Sequence, residues 1–125
     1  MTFHFFKHST FEALVETIRV RPGMYLGKAP LTGLWCMLLG YDMAVQEHGI
    51  SELEQLDRRL EQAFDNWLRQ QFGMGNAIGW YLFIINETPS EREAWNRFLK
   101  LWDNFYNSTS NISQQILDLR DFDER

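Results

Sequence analysis

The stretch that most constrains the fold of this chain is residues 18–27, which read Ile-Arg-Val-Arg-Pro-Gly-Met-Tyr-Leu-Gly. Pro22 disfavours helical backbone at Arg21, and Gly23 adds backbone freedom. A helix that enters this stretch should therefore end within it. The sequence predicts two helices separated by a fixed turn.

We interpret this turn as a folding element and not as a ligand site. Tyr25 and Leu26 are expected to anchor it in the core, and Gly27 permits a second bend. No companion phosphate-binding motif occurs in the sequence. The residues to which we assign the structural role are Arg21, Pro22, Gly23, Met24, Tyr25 and Gly27.

Helical periodicity predicts a helix on each side of the turn. The first begins at the capping sequence of residues 9–12 and ends near Arg19. The second begins at Pro30 and ends at Gly49. Because the second helix carries apolar residues around most of its circumference, we expect it to be central, with the thiol of Cys36 buried.

The sequence of the second half of the chain predicts three more helices. One begins near Ser51, ends before Gly73 and breaks near Asp57, because about twenty residues is long for a helix in a small domain. The apolar run at 79–86 fits a buried strand or a buried helix, and we favour a helix because no clear partner strand exists. The last begins near Pro89 with an aromatic stripe of Trp95, Phe98, Trp102 and Phe105.

These elements predict a mainly α, single-domain bundle of about five helices, and minor β pairing is left open. Residues 1–106 form the helical domain, and the polar sequence after it predicts a C-terminal tail over residues 107–125.

Composition excludes several classes of function. The net charge of −5 argues against nucleic-acid binding, which needs clustered cations. The single cysteine excludes a disulfide framework and a multi-cysteine metal site. No apolar run reaches the ~18–20 residues that span a bilayer, and the start does not resemble a signal peptide. We expect a cytoplasmic protein without membrane contact.

Catalytic motifs are missing from the sequence. The three histidines are explained as surface residues, or by a helix C-terminus in the case of His48. No nucleophile elbow, zinc-binding helix or phosphate loop occurs. We therefore expect no enzymatic activity, no cofactor and no metal.

A row of carboxylates on the third predicted helix is the candidate partner-binding surface. Asp57, Glu61 and Asp65 recur every four residues, with Glu54 nearby, and we call these four residues the acidic row. The simpler interpretation is an ordinary solvated face, since Asp65 can pair with Arg69. The alternative is a contact surface for a basic partner.

Residues 18–27 resemble the start of the ATPase domain of type II topoisomerase B subunits, which carry a similar turn between helices. The likeness ends where the chemistry of that family lies. Residues 39–44 read Leu-Gly-Tyr-Asp-Met-Ala and lack the asparagine that would hold magnesium, and the later glycine-rich nucleotide motif is absent. The resemblance does not imply ATPase activity.

A second resemblance covers more of the chain. It combines residues 18–27 with Leu-Thr-Gly-Leu at 31–34, Phe-Asp-Asn-Trp-Leu at 64–68 and Gly-Trp at 79–80. Together these motifs are similar to small bacterial immunity proteins of polymorphic toxin and contact-dependent growth-inhibition systems. The resemblance implies a cytoplasmic protein that binds one cognate toxin domain, frequently a nuclease, and blocks it. It transfers no contact residues.

Two hypotheses remain. In the first, the protein neutralises a toxin domain by steric and electrostatic contact. In the second, it is a structural or regulatory helical domain, and self-association into a homo-oligomer through surplus aromatics is left open. A neighbouring gene for a large secreted protein with a variable C-terminal domain would favour the first hypothesis.

Overall fold

The computed structural model describes the backbone of residues 10–74 and 78–123, and the side chains of residues 10–52, 54–74 and 78–109. The described backbone is helical, without a strand, which confirms the mainly α prediction. The helices are α1 Phe11–Val20, α2 Pro22–Leu26, α3 Pro30–His48, α4 Arg59–Phe72, α5 Trp80–Asn86 and α6 Glu91–Asp123, with a 3-10 turn at Glu52–Glu54.

Helix α1 begins and ends where the sequence predicts. The side chain of Thr10 caps it by accepting a hydrogen bond from the backbone N–H of Ala13 at 3.2 Å. Its buried face is Phe11, Leu14, Val15 and Ile18. The backbone N–H of Phe11 also donates to the carbonyl of Asp57 at 2.8 Å, beside an isolated parallel β-bridge between Thr10 and Asp57.

The stretch after α1 is a short helix, α2, and not a simple turn. Two glycines fix its position. Gly27 ends it at φ +72°, a conformation that side-chain-bearing residues rarely adopt. At Gly33 of α3, an added Cβ would lie 2.9 Å from the carbonyl oxygen of Leu26. Glycine is therefore needed at Gly33 for α2 to lie against α3.

The expected core anchor at Tyr25 is wrong. The side chain of Tyr25 is 36% exposed and that of Met24 is 66% exposed, whereas Leu26 is half-buried against the core. Residues 18–27 have a structural role, which depends on Leu26 and Gly27 together with Gly33 of α3. Much of the rest of this stretch lies on the surface.

Helix α3 has the predicted bounds, but only one side of it is buried. Leu31, Leu34 and Leu38 face the core, whereas Leu39 and Met43 are exposed. The prediction of a buried thiol is also wrong, because Cys36 is exposed. Apolar residues all around a helix do not guarantee neighbours all around it.

In the second half of the chain, the structure agrees with two of our interpretations of the sequence. The predicted break near Asp57 separates the 3-10 turn from α4, and residues 80–86 form the helix α5 that we favoured over a strand. Helix α6 differs from its prediction, because its backbone continues through residues 107–123, where we expected a polar loop and tail. Residues 91–123 contain neither glycine nor proline, so nothing in their sequence forces the helix to end.

An aromatic cluster fills the core. The ring of Phe64 from α4 is fully buried and lies 5.4 Å from Trp102 and 5.7 Å from Phe98, both on α6. Trp80 of α5 contacts the same group at 6.3 Å from Phe64. This core, with the half-buried side chains packed against it, contains most of the abundant aromatics. Self-association into a homo-oligomer stays a prediction.

Candidate functional site

The acidic row is not a solvent-facing surface. Glu61 and Asp65 are only 7% and 9% exposed, so the expectation that they face solvent is wrong. Both lie on α4 against the start of α5, which has no side-chain cap of its own. The spacing of the row is visible in the sequence, but the approach of α5 is not.

Each buried carboxylate of the row receives hydrogen bonds from α5 or its flanks. Asp65 accepts from the backbone N–H of Trp80 at 2.8 Å, and Glu61 accepts from the Trp80 indole N–H at 3.1 Å. Arg69 donates to Asp65 at 2.8 Å and to the carbonyl of Ile78 at 2.7 Å. Asp65 thus caps α5 from a neighbouring helix, close to its positive dipole end.

Arg58 links the same network to α3. Its guanidinium donates two hydrogen bonds to Glu61, at 2.5 Å and 3.0 Å, and another to Asp42. Burial disfavours its charge, but the hydrogen bonds to Glu61 and Asp42 outweigh that effect and raise the pKa of Arg58. Each of the three carboxylates, Glu61, Asp65 and Asp42, is paired with Arg58 or Arg69, so the arrangement is a structural network.

The remaining members of the row also differ from one another. Asp57 accepts hydrogen bonds from the guanidinium and then the backbone N–H of Arg59, and these bonds, the guanidinium's above all, hold the pKa of its carboxyl below the ordinary value. Glu54 is exposed in the 3-10 turn. The four carboxylates therefore do not form one acidic surface, and a partner-binding role for Glu54 or Asp57 stays a prediction.

A different acidic site lies between α1 and α6. A groove of about 300 Å³ is lined by Glu12, Ala13 and Glu16 of α1 and by Trp102, Asp103 and Tyr106 of α6. We call it the α1–α6 groove. Arg19 joins its two walls, since its guanidinium lies 2.6 Å from Asp103 and 3.7 Å from Glu16.

The α1–α6 groove is both negative and aromatic. Three carboxylates line it, and the guanidinium of Arg19 pairs with two of them, Glu16 and Asp103. The side chains of Glu16 and Asp103 are 62% and 49% exposed. Tyr106 is 41% exposed and lies 6.1 Å from the ring of buried Trp102. Such a groove can accept a cationic side chain through ion pairing and contact with an aromatic face.

Sequence reasoning missed this groove because its walls are far apart in the chain. Asp103 and Arg19, which join them, are 84 positions apart. The spacing of Glu12 and Glu16, one helical turn apart and outside the buried stripe of α1, was the available signal. Nothing in the sequence indicates that α6 lies beside them.

The described part of the chain contains neither a candidate cluster of metal ligands nor a helix that could span a membrane. No group of three or more His, Cys, Asp or Glu side chains there is placed to hold a metal ion. None of the helices, over their described residues, combines the length and apolar character needed to cross a membrane.

No family model, curated protein or solved structure matches this chain.

Proposed function

We propose that this protein binds a basic protein partner, and that the partner is a cognate toxin domain which it neutralises by direct contact. The observation that carries the proposal is the α1–α6 groove, where three carboxylates surround an exposed aromatic side chain. Binding needs neither catalysis nor a cofactor, and it takes place in the cytoplasm. The resemblance of the sequence motifs to immunity proteins supplies the toxin as the class of partner.

Charge complementarity supports a basic partner. The whole chain has a net charge of −5, and the α1–α6 groove concentrates part of that charge at a concave surface. Nuclease domains are basic where they hold nucleic acid, because phosphates are bound by lysine and arginine. A protein that docks an acidic groove on that surface blocks substrate access without inserting into a catalytic centre.

If a neighbouring gene encodes a toxin domain, the proposal is tested by co-expression with that domain. We expect the wild-type protein to restore growth and to co-purify with the toxin domain. A groove variant with Glu12→Gln, Glu16→Gln and Asp103→Asn should protect poorly. A matched variant with Glu47→Gln, Glu52→Gln and Glu93→Gln changes the net charge equally at exposed positions outside the groove lining, and it should protect as wild type does.

The outcomes separate the parts of the proposal. Absence of protection and of a complex with wild-type protein contradicts the immunity function. Protection by both variants retains that function but removes the α1–α6 groove as its contact surface.

The second candidate is a helical interaction domain without a toxin partner. The exposed apolar side chains of α3, Leu39 and Met43, favour a contact of that kind. A gene neighbourhood without a secreted toxin, together with binding to an unrelated protein, would support it.

A further inference from the structure

We infer that the side chain held in the α1–α6 groove is an arginine of the partner, and that Arg19 is an internal competitor for the same carboxylates. This inference rests on the proposed function and specifies which side chain of the partner the groove binds. In the unbound protein Arg19 engages Asp103 and Glu16 at the edge of the groove. An incoming guanidinium would share or replace those ion pairs and extend toward Glu12.

The lining of the groove fits a guanidinium better than an ammonium group. Carboxylates lie on both walls, from α1 and from α6, and an exposed tyrosine lies between solvent and the buried Trp102. A guanidinium is planar, offers five donors and stacks on aromatic rings while its edges bind carboxylates. A lysine ammonium is compact and strongly hydrated, and it gains less from a flat aromatic face.

The same combination of groups occurs inside this chain. Arg97 lies with its guanidinium carbon 6.0 Å from the ring centroid of Phe72, and it pairs with Glu87 at 3.0 Å. One arginine thus uses an aromatic ring and a carboxylate together on the surface of α6. The α1–α6 groove offers both groups, with more negative charge.

The contacts of Arg19 leave part of its guanidinium unsatisfied. Its Nε is buried and has no hydrogen-bond partner among the described residues. Its ion pair with Glu16 is long, at 3.7 Å, and involves a largely exposed carboxylate. A pair of this kind contributes little stability, so an incoming arginine can displace it at low cost.

The test uses small arginine analogues and NMR titration of the full chain. The probes are the N-acetyl, N-methylamide derivatives of arginine, lysine and citrulline, which differ in charge and planarity at similar size. We expect saturable amide shifts at Glu12, Glu16 and Asp103 with the arginine derivative. The lysine derivative should bind about two- to fivefold more weakly, and neutral citrulline should cause no saturable shift.

Competition is tested by comparing Arg19→Gln with Arg97→Gln. Each of the two arginines pairs with a carboxylate and has a buried Nε without a hydrogen-bond partner among the described residues. Arg19 pairs with carboxylates of the groove lining, whereas Arg97 pairs with Glu87 outside it. Arg19→Gln should tighten arginine binding about two- to fivefold, because it frees Glu16 and Asp103 from surface ion pairs that each contribute less than about 1 kcal/mol. Arg97→Gln should leave the affinity unchanged.

Several outcomes overturn the inference. Equal binding of citrulline excludes a charge-dependent site, and equal or tighter binding of lysine excludes selectivity for a guanidinium. Unchanged or weaker binding in Arg19→Gln excludes competition. The comparison of probes uses the wild-type chain and does not depend on the folding of a variant. Toxin neutralisation is measured separately by co-expression, so protection without arginine binding would retain the proposed function and reject this contact.

Discussion

At the scale of the residue, the role of a carboxylate depends on the donors that the fold brings to it. Glu61 and Asp65 have the spacing of a solvated helix face, and the sequence correctly identifies Arg69 as a partner of Asp65. The donors from Trp80 are unpredictable from spacing, since they lie 15 and 19 residues away and reach α4 only after packing. The same carboxylates therefore stabilise the fold, and their burial leaves them little surface to offer a partner.

Substitution of Asp65 tests this structural role. Asp65→Ala removes the cap of α5 and leaves the partly buried guanidinium of Arg69 without its carboxylate. Loss of one partner of such a pair costs roughly 3–5 kcal/mol of unfolding free energy. Urea unfolding monitored by circular dichroism measures the change. Glu54→Ala is the control, and this exposed substitution should change stability by less than about 0.5 kcal/mol. Equal midpoints for the two variants would contradict the buried network.

At the scale of the element, most helix starts were predictable from the sequence, but the groups that cap them were predictable only where the cap is local. Thr10, within the predicted capping sequence of residues 9–12, caps α1, and the hydroxyl of Ser90 accepts from the N–H of Glu93 at the start of α6. Helix α3 has no local side-chain cap, and Glu91 of α6 accepts from the backbone N–H of Thr32 at 3.3 Å. A capping side chain that belongs to another helix holds the two helices together, but no local sequence pattern indicates it.

The contact between α2 and α3 gives a prediction with an internal control. Gly33→Ala would place a Cβ 2.9 Å from the carbonyl oxygen of Leu26, a backbone atom that cannot rotate away. We expect it to lower the unfolding free energy by about 1–3 kcal/mol, the usual cost of overpacking. Gly40→Ala lies in the same helix in open space and should raise stability by roughly 0.5–1 kcal/mol. Chemical denaturation of both variants checks the opposite signs, and destabilisation by both would show that α3 does not tolerate alanine for another reason.

At the scale of the whole molecule, the sequence predicts the architecture better than it predicts the surface. Apolar periodicity is enough to indicate a mainly helical bundle, because each helix must bury its own stripe. The α1–α6 groove depends on which helices become neighbours, and its walls come from opposite ends of the described chain. Its position follows from the packing of α6 beside α1. The periodicity of either helix alone does not indicate it.

The last prediction concerns the rate at which the whole molecule meets a basic partner. If the α1–α6 groove steers the encounter, the association rate of the wild-type protein with the toxin domain should fall steeply as salt is added. The groove variant Glu12→Gln, Glu16→Gln, Asp103→Asn should associate about tenfold more slowly at low salt, with a shallower salt dependence, while its dissociation rate changes less. The matched variant at Glu47, Glu52 and Glu93 carries the same total charge, so it separates local from global charge. Stopped-flow measurements between low and physiological ionic strength make the comparison. Equal slopes for the two variants would mean that the net charge of the chain, and not its distribution in the groove, governs association.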